Sequence, residues 1–169
     1  MSASLSIQLL QHLTPAQATE LSKLLQNVVQ DGASIGFLSP MSLEEAEQYW
    51  QSVLEPGAFL WAAYMDGSLV GTVQLQLAMK RNATHRAEIA KLMVDPSARR
   101  HGIARALMNT AHEQAAVENR SLLILDTRAG DPSNKLYHSL GYIEAGRIPG
   151  FARSSEGGLD ATVIYYLNL

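Results

Sequence analysis

Six consecutive residues, Arg99-Arg100-His101-Gly102-Ile103-Ala104, hold the densest concentration of ligand-binding chemistry in the chain. They lie between a strand-like run, Ala87 to Val94, and a helix-like run that opens at Ile103. A short basic turn in that setting is suited to holding phosphate. The backbone N–H groups of a first helical turn have no intrahelical acceptors, and the helix dipole favours an anion beside them. Gly102 removes the side chain that would keep a phosphate away from the backbone. Arg99 and Arg100 add positive charge that does not titrate near neutral pH. Lys80, Arg81, Arg86, Lys91 and Arg105 gather nearby in a chain whose formal net charge is −3. That local asymmetry suits a small polyanion and gives no support to nucleic-acid binding.

Composition narrows the field. A length of 169 residues, 47% hydrophobic and 17% charged, fits one domain spanning 1–169 with a core of its own. The chain has no cysteine, which removes disulfides, thiolate metal sites and a cysteine nucleophile together. Its five histidines, His12, His85, His101, His112 and His138, lack ligand-like pairing, so no metal is expected. The first residues lack the pattern of an export signal, and no apolar run reaches membrane-spanning length. A cytoplasmic protein without membrane partners is the expectation.

The phosphate turn must be positioned by its flanking elements. Leu5 to Leu10 reads as a strand. Thr14 as N-cap and Pro15 at the first helical position open a helix that carries Ala18, Leu21, Leu24, Leu25 and Val28 on one face. It stops near Asp31-Gly32, and a Gly/Ser-rich loop with Phe37 runs on to Pro40. Ser42 and Glu45 form a capping-box pattern for a second helix, residues 43–54. Phe59 to Tyr64 and Leu69 to Leu77 pair as a hairpin across Asp66-Gly67. After the strand Ala87 to Val94, Ile103, Leu107, Ala111 and Ala115 mark a helix with one apolar stripe. The run 121–127 is continuous enough for a strand buried on both faces. A short helix over Asp131 to Leu140, a strand Tyr142 to Arg147, a loop Pro149 to Asp160 and a last strand 161–169 complete the order. The class is α+β: a mixed, mostly antiparallel twisted sheet of about seven strands with about four helices. Its front half is antiparallel and is followed by a strand-helix-strand unit with parallel strands.

The order strand, "RRHGIA", helix, strand, and a helix ending in "LYHSLGY" resembles that of the GNAT acyl-CoA N-acetyltransferases, from about Leu5 onward. Ala104 stands where many members have glycine, a substitution within the family pattern. The resemblance implies acetyl-CoA as co-substrate and direct attack by the amine of a small molecule. It assigns the pyrophosphate to Arg99, Arg100, His101, Gly102, Ile103 and Ala104. It assigns the pantetheine arm and thioester carbonyl to backbone groups of Leu92, Met93 and Val94, and a side-chain contact with the cofactor to Asn134. Tyr137 falls on the tyrosine that protonates the leaving sulfur. Glu88 is the leading general base, because its strand runs towards the thioester between apolar neighbours, and Asp126 is a second carboxylate near the cleft. Glu88, Asp126, Phe37 and Phe151 fall on the acceptor side, and Tyr165 and Tyr166 lie in segments that flank it.

Within the family, "DGASIGF", "LDTRAGD", "IPGFA" and "TVIYY" resemble members that confer toxin resistance by acetylating a small, zwitterionic, amino-acid-like toxin. Two other readings compete: acetylation of a protein N-terminus or lysine, and a non-catalytic acyl-CoA sensor. Loops 31–40 and 149–160 are expected to cover the site, against an extended peptide. The joint presence of Glu88, Asp126 and Tyr137 speaks against a sensor. The apolar last strand offers an edge for pairing in a homodimer.

Overall fold

The computed structural model describes residues 4–169. The strands are β1 (Leu5–Leu9), β2 (Ala58–Met65), β3 (Ser68–Leu77), β4 (Arg86–Val94), β5 (Leu122–Arg128), β6 (Ile143–Arg153) and β7 (Leu159–Asn168). The helices are α1 (Pro15–Gln30), α2 (Leu43–Gln51), α3 (Ile103–Val117) and α4 (Ser133–Ser139). The seven strands form one sheet in the order β1-β2-β3-β4-β5-β7-β6. Only the β4–β5 pair is parallel, as the strand-helix-strand pattern requires. No helix among the described residues is long and apolar enough to cross a membrane.

Local sequence fixes the helix starts. Thr14 Oγ1 accepts from the Gln17 amide at 3.2 Å, and Gln17 Oε1 accepts from the Thr14 amide at 3.0 Å. The reciprocal box therefore forms at α1, where only the N-cap was expected. At α2 the Ser42 hydroxyl accepts from the Glu45 amide at 3.1 Å. That helix stops at Gln51, short of Leu54, where the Ser52 hydroxyl donates to the Tyr49 carbonyl.

Helices cover both faces of the sheet. On one side Leu21, Leu25 and Trp50 pack with Leu60 and Ala62. On the other, Ile103, Leu107, Ala111 and Ala115 pack against Trp61, Val73, Leu75 and Leu123. Successive residues of β2 thus enter opposite cores, which explains its unbroken apolar run. Burying each of the larger aliphatic side chains stabilises the fold by about 1.5–3 kcal/mol. Gly71 lets α3 sit close to β3: a Cβ there would lie 2.9 Å from the Met93 carbonyl oxygen and 3.2 Å from Ile103 and Leu107.

Two expectations are corrected at the C-terminal end. The segment 149–153 is not loop but the continuation of β6, and the turn shrinks to Ser154 through Gly158. Pro149 is tolerated because β6 is an edge strand and its register with β7 shifts between Ile148 and Ala152. The last strand, β7, lies between β5 and β6. Both of its edges are hydrogen-bonded, so it has no free edge with which to pair across a dimer.

Two irregularities in β4 position the site. Pairing with β5 extends only over Arg86–Glu88 opposite Leu122–Ile124, after which the parallel strands part. Pairing with β3 slips between Thr72 and Gln74: Met93 faces Thr72, but Ala90 faces Gln74. Lys91 and Leu92 form the bulge, and Lys91 adopts a left-handed φ of 51°.

Candidate active site

Where β4 and β5 part, a cleft of about 1090 Å³ opens. Its walls are the segment Asp31–Gly36, β4 from Glu88 to Val94, the turn at Arg99 and Arg100 with the start of α3, the end of β5, the N-terminal part of α4, and Phe151. Elements from most of the chain converge on one opening.

The phosphate turn forms its floor. Arg100 and Gly102 are left-handed, with φ of 65° and 75°. Gly102 caps α3 with no side-chain hydrogen bond. The amides of Ile103, Ala104 and Arg105 therefore have no intrahelical acceptor and no capping side chain competing for them. A Cβ built on Gly102 meets nothing within 4 Å, so the space above the turn is open. These features fit a pyrophosphate: free amides, a positive helix end and adjacent guanidinium groups. Two residues of the turn are committed elsewhere. Arg99 pairs with Asp31 at 2.7 Å, tying the α1–α2 connection to the turn. His101 turns Nδ1 to the Ala98 carbonyl at 3.1 Å and does not line the cleft.

Leu92, in the bulge, and Met93 and Val94, where pairing with β3 resumes, line the cleft. Met93 is also buried in the core, as its apolar side chain predicts. Tyr137 lines the cleft from α4 and is only 6% exposed. Its ring packs on Tyr142 and Tyr165, each at a centroid distance of 5.8 Å. Burial, and then the charge of Asp126, push its hydroxyl pKa far above the ordinary tyrosine value. The Tyr137 hydroxyl has no hydrogen-bond partner among the described residues, so its proton is available to a ligand.

The two carboxylates meet in the same cleft under different constraints. Glu88 is half-buried on β4, opposite Gln76 of β3 and Ile124 of β5. Desolvation raises its pKa, and Asp126 raises it further against the opposing pull of Lys91 and Arg86. Asp126, at the end of β5, accepts a hydrogen bond from the Thr162 hydroxyl at 2.9 Å. One carboxylate is held in place, and the other is pushed towards the pKa range in which a base works at neutral pH.

Other expected site residues fall outside the cleft. The Asn134 side-chain amide donates to the Arg128 and Asp131 carbonyls, and its oxygen accepts from the Tyr165 hydroxyl at 2.8 Å. It organises the β5–α4 junction and is outside the cleft lining. Phe37 packs edge-on against Tyr49 at 5.0 Å, in the α1–α2 core. Tyr165 is fully buried, and Tyr166 is outside the cleft lining. Of the aromatic residues proposed for the acceptor side, Phe151 alone lines the cleft, 55% exposed.

Sequence reasoning missed Lys91 and Arg128 as parts of the site. Lys91 Nζ donates to the Ile35 carbonyl at 2.6 Å and lies 5.5 Å from the centre of the Phe37 ring. Arg128 pairs with Asp131 at 2.9 Å and Asp160 at 3.5 Å, and donates to the Gly32 carbonyl. A lysine interrupting the apolar run of β4 was the available signal for the first. Arg128 pairs locally with Asp131, but its other partners, Asp160 and Gly32, are too distant in sequence for spacing to reveal.

Residues 22–142 match the model of the acetyltransferase (GNAT) family. The chain is similar to an uncharacterized N-acetyltransferase of Azospirillum brasilense, 32% identical over 112 residues, 64% of this chain and 67% of that protein. It is also similar to the N-acetylaspartate synthetase of Homo sapiens, 33% identical over 130 residues, 73% of this chain and 41% of the synthetase. The chain thus spans about two-fifths of the synthetase's length. Among solved structures, an acetyltransferase from Salmonella typhimurium with its cofactor acetyl-CoA superposes with a TM-score of 0.80. That likeness covers 98% of this chain and 94% of the other at 15% identity, and speaks to fold.

Proposed function

The chain belongs to the GNAT acetyltransferase family, and we propose that it transfers acetyl from acetyl-CoA to the amine of a small, amino-acid-like acceptor. The carrying observation is the cleft itself, whose lining brings free helix amides together with Glu88, Asp126 and Tyr137. Acetyl-CoA supplies an activated acyl group on a thiolate leaving group. The amides of Ile103, Ala104 and Arg105, with Arg100 beside them, hold its pyrophosphate. Backbone groups of the bulged β4 segment, Leu92 to Val94, bond to its pantetheine amides and polarise the thioester carbonyl.

Glu88 takes the proton of the acceptor ammonium, directly or through one water. Burial, and then Asp126, held by Thr162, keep the Glu88 carboxyl more basic than an ordinary glutamate. Tyr137 stays protonated across the working pH range and donates to the departing sulfur. Protons at the two ends of the reaction are thus handled by different side chains, as direct transfer in a ternary complex requires.

The acceptor class rests on two likenesses. The segments quoted above resemble the tabtoxin resistance protein, whose implied substrate is a zwitterionic amino-acid-like toxin. The synthetase relatives are named for an N-acetylated amino acid. Both point to an amine close to a carboxylate. Thiol-reagent detection of CoA release tests the reading with amino acids, dipeptides, polyamines, aminoglycosides and an N-terminal peptide. Turnover confined to amino-acid-like amines is the expected result; turnover confined to polyamines or the peptide contradicts it.

A further inference from the structure

Among the cationic side chains that line the cleft, Lys91 differs in its partners. Arg99 and Arg128 are ion-paired, Arg105 donates to Ser139, and Arg100 is exposed at the phosphate turn. Lys91 is half-buried and forms no ion pair among the described residues. An ammonium has three N–H donors, and the Ile35 carbonyl engages one of them. A partly desolvated cation with donors to spare and no paired anion is a costly arrangement unless an anion arrives to complete it.

The backbone explains how Lys91 reaches this place. Its left-handed φ lies at the bulge, and its side chain reaches the Ile35 carbonyl and the Phe37 ring. Gly36 makes room for it, since a Cβ at that position would lie 3.1 Å from Nζ. Burial lowers the Lys91 pKa, and Asp126 and then Glu88 oppose that shift, so the ammonium shares a charge environment with both carboxylates. An acceptor with an ammonium beside those two carboxylates would have its own carboxylate repelled from them. Among the described residues that line the cleft, Lys91 is the cation without an ion pair that shares the charge environment of both carboxylates.

We infer that Lys91 is the specificity-determining residue that binds the acceptor's carboxylate, so the acceptors are amines bearing a nearby carboxylate. The inference rests on the transferase reading and sharpens it. It is tested by CoA release with matched pairs: alanine, aspartate, glutamate and methionine, each beside its α-carboxamide. Amine basicity alone favours the carboxamide, whose ammonium is the more acidic. The expected result is that the wild-type protein prefers the acid of at least one pair by about 10- to 100-fold in kcat/KM. Lys91→Met is expected to erase that ratio by raising KM for the acid, with calorimetric acetyl-CoA affinity as the check on the cleft. Equal use of acids and carboxamides by the wild-type protein, or an equal loss for both in Lys91→Met, overturns the inference while the transferase reading stands. Acetyl-CoA binding without CoA release from any amine overturns both. Should Lys91→Met fail to fold, the wild-type acid-to-amide ratio decides alone.

Discussion

In the proposed reaction, one cleft sets Tyr137 and Glu88 to opposite tasks. Both pKa values are raised, chiefly by burial and further by Asp126. For a phenol the shift secures a proton to give; for a carboxylate it strengthens the pull on a proton to take. Tyr137→Phe removes the donor but keeps the ring packed on Tyr142 and Tyr165. Turnover should fall by about 10- to 1,000-fold with acetyl-CoA affinity unchanged, as read by steady-state kinetics and calorimetry. Equal loss of cofactor binding would assign the hydroxyl to binding instead. Glu88→Gln should lower kcat by about 100-fold or more. In the wild-type protein kcat/KM should rise with pH through an inflection above the ordinary glutamate range, because the ionised form is the active one. Glu88→Gln should lose that acidic limb, and its persistence would transfer the role of base to Asp126.

The strand-turn-helix geometry around Gly102 was legible in the sequence because it is local. A strand, a basic glycine-containing turn and an amphipathic helix are contiguous, and β4, Gly102 and α3 fall where the pattern puts them. The parallel β4–β5 pair was legible for the same reason, since a helix between two apolar runs implies a crossover. Long-range packing decided the rest. The hydrogen bond that Asn134 accepts from Tyr165 of β7 spans 31 residues and has no local signal. Phe37 reads as an exposed loop residue until Tyr49 and Lys91 close on it. The bulge that aims Lys91 is a register slip between two strands, and neither strand's sequence states it. At the turn, Gly102→Ala places a side chain at φ 75° but in open space. It should cost about 1 kcal/mol, or about 2–4 °C in Tm, from left-handed strain. Gly102→Glu puts a carboxylate where the phosphate is expected and should abolish acetyl-CoA binding by calorimetry. Retained binding by the folded variant would sink the assignment of this turn.

Across the whole molecule, the site draws stability from a fold that is otherwise well satisfied. Two apolar layers, one on each face of the sheet, hold β4 between them. Through that interior strand the protein keeps a partly desolvated Glu88 beside a second carboxylate. A folded-state pKa above the unfolded one means that the native state binds the Glu88 proton more tightly than the unfolded chain does. Its contribution is fully present below the unfolded glutamate value and is lost as pH rises through the raised folded value. Above that window the charged carboxylate destabilises the native state, discounted by the solvent that still reaches it. Glu88→Gln removes the charge and keeps the shape, so the variant should be the more stable protein at pH 7–8. Its Tm should exceed that of the wild type by on the order of 2 °C there, with the gap closing as pH falls towards 4. Lys91 and Arg86 oppose this effect, since each favours the ionised form. The sign of the difference therefore tests whether burial and Asp126 outweigh both cations. A variant less stable than wild type at pH 7–8 would show that Glu88 serves mainly as a counter-ion for Lys91. In that case the base would have to be sought at Asp126.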